Sequence, residues 1–315
     1  MVRADKWKFC NRRTKAERVR ERQHIELVDA AITKKTQERY YFGLAQLLPL
    51  LTGVESLIQM DEVAADWIQH CWETGESLHI VNDALCGLHH YQPWTRGHLA
   101  TAWRLFKVWR KVEAPNRAPP LTKNIIYPMA MYALAHDHIV FASMILLGFF
   151  GLLRTGELLQ LCTSDLLVGE TQAIISLKNT KTGLRNAAQE TVALDDDLTL
   201  ETIRALIAIK MRQGLHRVPI WTKSAQAFRN EFAHHCKKFK LESFLFRPYS
   251  LRRGGATFLF QESGSMELAL LKGRWSSTKV AKIYLSDGLS YLPGLTFSKE
   301  SKAMLRLWDP NNQLR

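Results

Sequence analysis

The sequence predicts a mainly α-helical protein with one small β-hairpin or sheet, divided into two domains. Three observations carry this. Apolar residues recur three and four apart along most of the chain, the spacing that lines one face of a helix. β-Branched runs flanking a polar loop occur only at 172–178 (QAIISLK) and 190–194 (ETVAL). Between the halves, EAPNRAPPL at 113–121 holds three prolines in nine residues, a stiff extended stretch suited to a linker.

Taken in order, residues 1–29 form a basic segment, with nine Lys/Arg against three acids in 1–25. It reads either as an arm laid along a polyanion or as a solvated helix face. Residues 30–114 read as a small helical domain, with helices at 34–51, 60–74, 77–88 and 98–112 punctuated by Gly53, Gly75 and Pro93. After the linker at 115–121, Thr122 suits the N-cap of a helix running to Ala135. The apolar run 139–153 is shorter than the ~20 residues a membrane span needs, so it is a core helix. A hairpin with a long polar tip follows, then helices at 197–213 and 224–240, a helix opened by Arg252 and closed by Gly264, and an amphipathic stretch at Ser298–Trp308.

The chain's 315 residues suffice for two cores, and 46% hydrophobic content argues against disorder. A net charge of +13 suits a polyanion such as nucleic acid, through phosphate neutralisation and counterion release. The five cysteines (10, 71, 86, 162, 236) form no CxxC pair and read as reduced thiols of an intracellular protein. Residues 1–25 are charged throughout, unlike a secretory signal. On the predicted helix 224–240, His234 and His235 stand with no acid at ligand spacing, so no metal site is expected there. Lys237 and Lys238 on the same helix are read as part of a basic face near DNA.

The chemistry concentrates in 247–284, RPYSLRRGGATFLFQESGSMELALLKGRWSSTKVAKIY. Arg252 and Arg253 stand at a predicted helix start, a place suited to an anion. Tyr284, ending a second helical stretch, offers a hydroxyl nucleophile to that anion. This stretch resembles the tyrosine recombinase, or phage-integrase, family. The family has a His-x-x-Arg box, then a His or Trp, then the nucleophilic Tyr nine residues on. Arg252, Trp275 and Tyr284 match these positions, while Tyr249 replaces the box histidine. The LRRGGAT segment resembles recombinases of eukaryotic mobile elements. Earlier in the chain, GLLRTGEL is similar to the family's first arginine box, which gives Arg154 as a phosphate ligand and Glu157 as its support.

The resemblance implies a two-domain DNA clamp, a helical core-binding domain plus a catalytic domain at 122–315. It implies a site-specific recombinase that cuts and rejoins double-stranded DNA through a 3′-phosphotyrosyl link, with no cofactor, metal or ATP. Arg154 and Arg252 would stabilise the phosphoryl group, Trp275 would pack or donate to it, and Tyr249 would donate a hydrogen bond. The family's catalytic lysine lies on a hairpin, which points to Lys181, with Lys178 and Arg185 as runners-up. Arg253, Lys178, Arg185, Lys237 and Lys238 are DNA-binding candidates. The C-terminal tail would dock on a neighbouring protomer in a homo-oligomer, a tetramer on two DNA sites, and a eukaryotic protein of this kind would be nuclear. Two alternatives stay open: a catalytically inactive DNA-binding relic, and a one-subunit topoisomerase.

Overall fold

A computed structural model of the chain describes residues 14–22, 31–114, 117–177, 190–285 and 296–310. The chain divides into two compact units, 1–116 and 117–315.

In the first unit, the described residues form five α-helices: α1 (Lys15–Arg22), α2 (Lys34–Leu47), α3 (Leu57–Glu73), α4 (Leu78–Tyr91) and α5 (Ala100–Val112). Side-chain caps set three of the starts. Thr33, Ser56 and Ser77 each accept from a backbone N–H of the turn that follows. Helix α5 has no such cap of its own. Asp61 on α3 instead accepts from the N–H groups of Thr101 and Ala102, both at 2.9 Å. The core comprises Leu44, Leu47, Trp67, Ile68, Val81, Leu85, Leu88, Phe106, Trp109 and their neighbours. Gly43 lets α2 lie against α4, because a Cβ there would sit 2.6 Å from the Ala84 backbone nitrogen.

The second unit is built around α7 (Ile139–Phe150), whose ten positions from Phe141 to Phe150 are all buried. A helix apolar on every side belongs inside, and α6 (Lys123–Ala135), α9 (Asp197–Arg212) and α11 (Tyr249–Ser263) surround it. Two glycines seat α11. A Cβ at Gly254 would lie 2.0 Å from the Leu121 carbonyl oxygen, and one at Gly255 1.9 Å from that of Phe149. The Gly-Gly step therefore allows backbone contact with the end of α7 and brings Arg252 to the turn that follows it.

The sheet has three antiparallel strands in the order β1 (Leu166–Val168), β2 (Ala173–Leu177) and β3 (Glu190–Leu194). Ala173 pairs with Leu194 and Leu177 with Glu190, so Ala173, Ile175, Leu177, Val192 and Leu194 face the core. The expected hairpin is present, but β1 was not anticipated. Three residues are too few for a period of two to stand out. Helices α8 (Thr155–Gln160), α10 (Ala225–Lys238), α12 (Met266–Gly273), α13 (Thr278–Tyr284) and α14 (Lys299–Leu307) complete the unit. Gly264 closes α11 in the left-handed conformation, φ 64°.

In the single chain, α14 packs on its own unit. The Ser301 hydroxyl donates to the Lys240 carbonyl at 2.9 Å, Leu305 is buried, and Trp308 meets the Tyr132 ring edge-on at 5.2 Å. Among the described residues, no helix is long and apolar enough to cross a membrane.

Candidate active site

The site forms where three chain segments meet at the end of α7. Leu152, just past that end, adopts φ 48°, and its carbonyl accepts from Arg252 Nη1 at 2.5 Å and Arg274 Nη2 at 3.3 Å. Arg252 Nη2 donates to the Gly273 carbonyl at 2.6 Å, which ties α11 to the end of α12. Arg154 is the N-cap of α8, and its own N–H donates to Glu157 Oε2 at 2.8 Å. Its guanidinium reaches Glu157 Oε1 at 2.5 Å. Arg154 and Arg252, almost a hundred residues apart in sequence, thus flank one carboxylate, and Arg252 Nη1 is 4.0 Å from Glu157 Oε2.

A third arginine stands here that sequence reasoning missed. Arg274 caps α12 with φ 54° and donates from Nη2 to Glu157 Oε2 at 2.7 Å. Its Nε lies 3.8 Å from an oxygen of Glu190, the first residue of β3. The sequence signal was slight: one arginine directly before Trp275.

Positive charge dominates this cluster. Arg252 is fully buried, yet its hydrogen bonds go to carbonyls and not to a carboxylate. Burial, then the neighbouring charges of Arg154 and Arg274, bring its pKa down to about 10. Burial alone would raise the Glu157 carboxyl. Arg274, the Arg154 N–H and the Arg154 guanidinium outweigh it and hold the group below the ordinary carboxylate range. Arg252 Nε, Arg274 Nε, Arg274 Nη1 and Trp275 Nε1 are buried donors that make no hydrogen bond among the described residues, against one such buried acceptor here, Glu190 Oε2. Each such donor costs about 1–3 kcal/mol. A cluster so rich in donors and poor in acceptors suits an anion.

Beside the arginines lie the aromatic groups. The Trp275 ring folds back over Gly273, where a Cβ would meet it at 2.2 Å, so only glycine fits. Trp275 and Tyr284 have ring centroids 4.5 Å apart, and the Arg252 guanidinium stands 5.1 Å from the first and 5.5 Å from the second. The Tyr249 hydroxyl donates to the Tyr284 hydroxyl at 2.6 Å. Burial first, then this hydrogen bond, raises the Tyr249 pKa, so its phenol keeps its proton.

Arg154, Glu157, Tyr249, Arg252, Trp275 and Tyr284 therefore share one site. Lys181, Lys178 and Arg185 lie outside the described residues. Arg253, taken as a DNA contact, is instead buried. It donates to the carbonyls of Ala118 and of Ile283, the latter at 3.3 Å, and so straps α11 to its surroundings. Lys237 and Lys238 are exposed on the last turn of α10. On the same helix, His235 is no part of a basic face. It is fully buried and stacks on Phe141 at 4.0 Å. The expectation that no acid accompanies the histidines also needs correction. Glu231, one turn before His235, sits with it and His138 in a group whose potential ligand atoms lie within 4.8 Å of one another. These groups are hydrogen-bonded among themselves: His138 Nδ1 to the Glu231 carboxylate and His235 Nδ1 to the Glu231 carbonyl, both at 3.0 Å.

No protein-family model matches the sequence, and no curated protein matches it. Solved structures do. The chain is similar to the Tn1549 transposon integrase in complex with transposon right end DNA, with 15% identity over 89% of this chain and 97% of that one, TM-score 0.58. It is similar to a lambda integrase(75-356) dimer bound to a COC′ core site, with 16% identity over 83% and 92%, TM-score 0.55. It also resembles the XerH site-specific recombinase bound to palindromic difH substrate, with 15% identity over 78% and 75%, TM-score 0.53. The chain has the tyrosine recombinase fold.

Proposed function

We propose that this protein breaks and rejoins DNA strands as a site-specific recombinase or integrase, with Tyr284 as the nucleophile. One observation carries the reading. Arg252 is a fully buried cation, held by carbonyls beside two further arginines, with its guanidinium 5.5 Å from the Tyr284 ring. A phosphodiester brought to this place would balance the charge and meet a hydroxyl at the same time. The shared fold supports the reading, since the similar structures are of recombinases and integrases bound to DNA.

In the proposed reaction the Tyr284 hydroxyl gives up its proton to solvent and its oxygen attacks phosphorus. The new P–O(Tyr) bond forms as the bond to the 5′-oxygen breaks, and the leaving oxygen takes a proton. One phosphodiester replaces another, so the bond energy is kept for rejoining and no ATP is consumed. Arg154 and Arg252 stabilise, through their charge, the non-bridging oxygens of the phosphoryl group. Trp275 packs against the nucleophile's ring and offers its indole N–H. Lys181 remains the proposed proton donor to the leaving oxygen. The partner is double-stranded DNA, and the net charge of +13 agrees with that.

Tyr249 favours a second reading, a DNA-binding relic, because a phenol whose pKa is raised does not exchange protons near neutrality as histidine does. One experiment separates the two. The protein is incubated with fragmented genomic DNA, and covalent adducts are digested and mapped by mass spectrometry. Strand transfer gives a nucleotide on Tyr284 that Tyr284→Phe removes. DNA binding with no adduct on any tyrosine rejects the enzyme in favour of the relic.

A further inference from the structure

We propose that Arg274 is a positioning residue that keeps Glu157 from neutralising Arg252, leaving the Arg252 charge available to a phosphate. The phosphate's identity as part of DNA rests on the strand-transfer reading above; the electrostatic role does not.

Glu157 has two oxygens and three arginine neighbours. Oε1 takes the Arg154 guanidinium at 2.5 Å. Oε2 takes the Arg154 N–H at 2.8 Å and Arg274 Nη2 at 2.7 Å. Arg252 Nη1 is left at 4.0 Å, beyond hydrogen-bond reach. Its Nη1 and Nη2 are turned to the carbonyls of Leu152 and Gly273. With the Arg274 guanidinium removed, the nearest cation to Oε2 not already bonded to Glu157 is Arg252. A shift of about 1 Å would bring that pair into contact, and a buried ion pair would replace a buried charge.

The backbone offers a second, independent observation. Arg274 occupies a helix C-cap at φ 54°, ψ 48°, a conformation that costs a residue with a Cβ about 1 kcal/mol and that glycine adopts freely. Glycine immediately precedes it, where the Trp275 ring leaves no room for a Cβ, and arginine rather than a second glycine takes the left-handed position. Arginine at that point directs a long side chain back into the site, where it is only 7% exposed. The strain is therefore accepted for the sake of the side chain.

The test uses Arg274→Gly, which suits the backbone and removes the guanidinium. Three further variants accompany it: Arg274→Lys, Glu157→Gln, and the double variant Arg274→Gly/Glu157→Gln. Inorganic phosphate binding is followed by 31P NMR, adduct formation on nicked duplex DNA by gel, and folding by urea titration. Arg274→Gly is expected to fold cooperatively but to bind phosphate at least about tenfold more weakly, with Arg274→Lys recovering most of the loss. In the double variant, the uncharged amide that replaces the Glu157 carboxylate cannot quench Arg252, so phosphate affinity should return to within about threefold of wild type. Affinity within about twofold of wild type in Arg274→Gly overturns the proposal. So does a loss that Glu157→Gln fails to rescue, since Arg274 would then touch the anion itself or merely hold the fold. Should Arg274→Gly not fold, Arg274→Lys decides: a lysine variant that folds yet loses tenfold or more overturns the proposal, and one near wild type sustains it. A wild type that binds phosphate with this pattern but never forms an adduct sinks strand transfer alone. No phosphate binding by wild type sinks both.

Discussion

The hydroxyl of Tyr249 donates to the hydroxyl of Tyr284 across 2.6 Å. The donor keeps its proton, because burial and the hydrogen bond itself raise its pKa. On the strand-transfer reading proposed above, Tyr249 therefore meets the Tyr284 oxygen as a donor and not as a base. It would orient that oxygen towards phosphorus. Tyr249→Phe keeps the ring and removes the donor. Adduct formation should fall by about 10²-fold, as when a reacting atom loses the contact that positions it. Duplex affinity should stay within about twofold. An adduct rate equal to wild type would mean that this hydrogen bond has no part in the chemistry.

A second prediction concerns the seat of α11. Gly255→Ala places a methyl group 1.9 Å from the Phe149 carbonyl oxygen, which is backbone and cannot swing aside. The helix must move away, at a cost of about 1–3 kcal/mol, and Arg252, three residues earlier, moves with it. Urea unfolding should show the lower midpoint, and phosphate affinity should drop in the protein that remains folded. Gly156→Ala is the control, since nothing lies within 4 Å of a Cβ there.

Much of this was legible in the sequence, for physical reasons. Arg154, Arg252, Trp275 and Tyr284 stand in short segments whose spacing is fixed by the elements they begin or end, so their convergence followed from the resemblance. The long apolar run at 139–153 announced a buried helix because no face of it was polar. What escaped depended on contacts between segments. In sequence Arg253 reads as a DNA contact beside the box arginine Arg252, but successive helical residues point about 100° apart. One guanidinium therefore turns to Leu152 and Gly273, and its neighbour to Ala118 and Ile283. Arg274 was invisible because its role depends on a left-handed cap and on a carboxylate more than a hundred residues away. The Glu231–His235 pair was one turn apart and readable, but His138 joins it only through the packing of α7 on α10.

A third prediction follows from Glu157. Its folded-state pKa lies below the ordinary carboxylate range, despite burial, because Arg274 and Arg154 hold it charged. The stability this contributes is fully present above the unfolded value of about 4.3 and is lost as pH falls through the depressed folded value. Wild type should therefore lose stability steeply below about pH 4. Glu157→Gln should be less stable at neutral pH but show a shallower acid dependence, read from urea midpoints between pH 3 and 7. Parallel curves for the two proteins would show that Glu157 contributes nothing through its charge.

The last prediction concerns how the cleavage rate depends on pH, where the replacement of histidine by Tyr249 has its clearest consequence. Tyr284 faces Tyr249 and Arg252, with Arg253 bonded to the carbonyl one residue before it. Arg154, Arg274, Glu157 and Glu190 complete the charged surroundings. No imidazole stands among these described groups. Glu157 stays ionised, Arg252 stays charged until pH approaches 10, and Tyr249 stays protonated beyond that. With no imidazole beside Tyr284, the single-turnover rate should rise between about pH 6 and 9 without levelling off near pH 7. Tyr249→His introduces a group that titrates near 6.5 and accepts a proton. That variant should be faster at pH 6.5–7.5 and should level off above it, because the imidazole is by then fully available as a base. A wild-type profile that already levels off near pH 7 would show that some other base serves Tyr284, and the donor role assigned to Tyr249 would have to be given up.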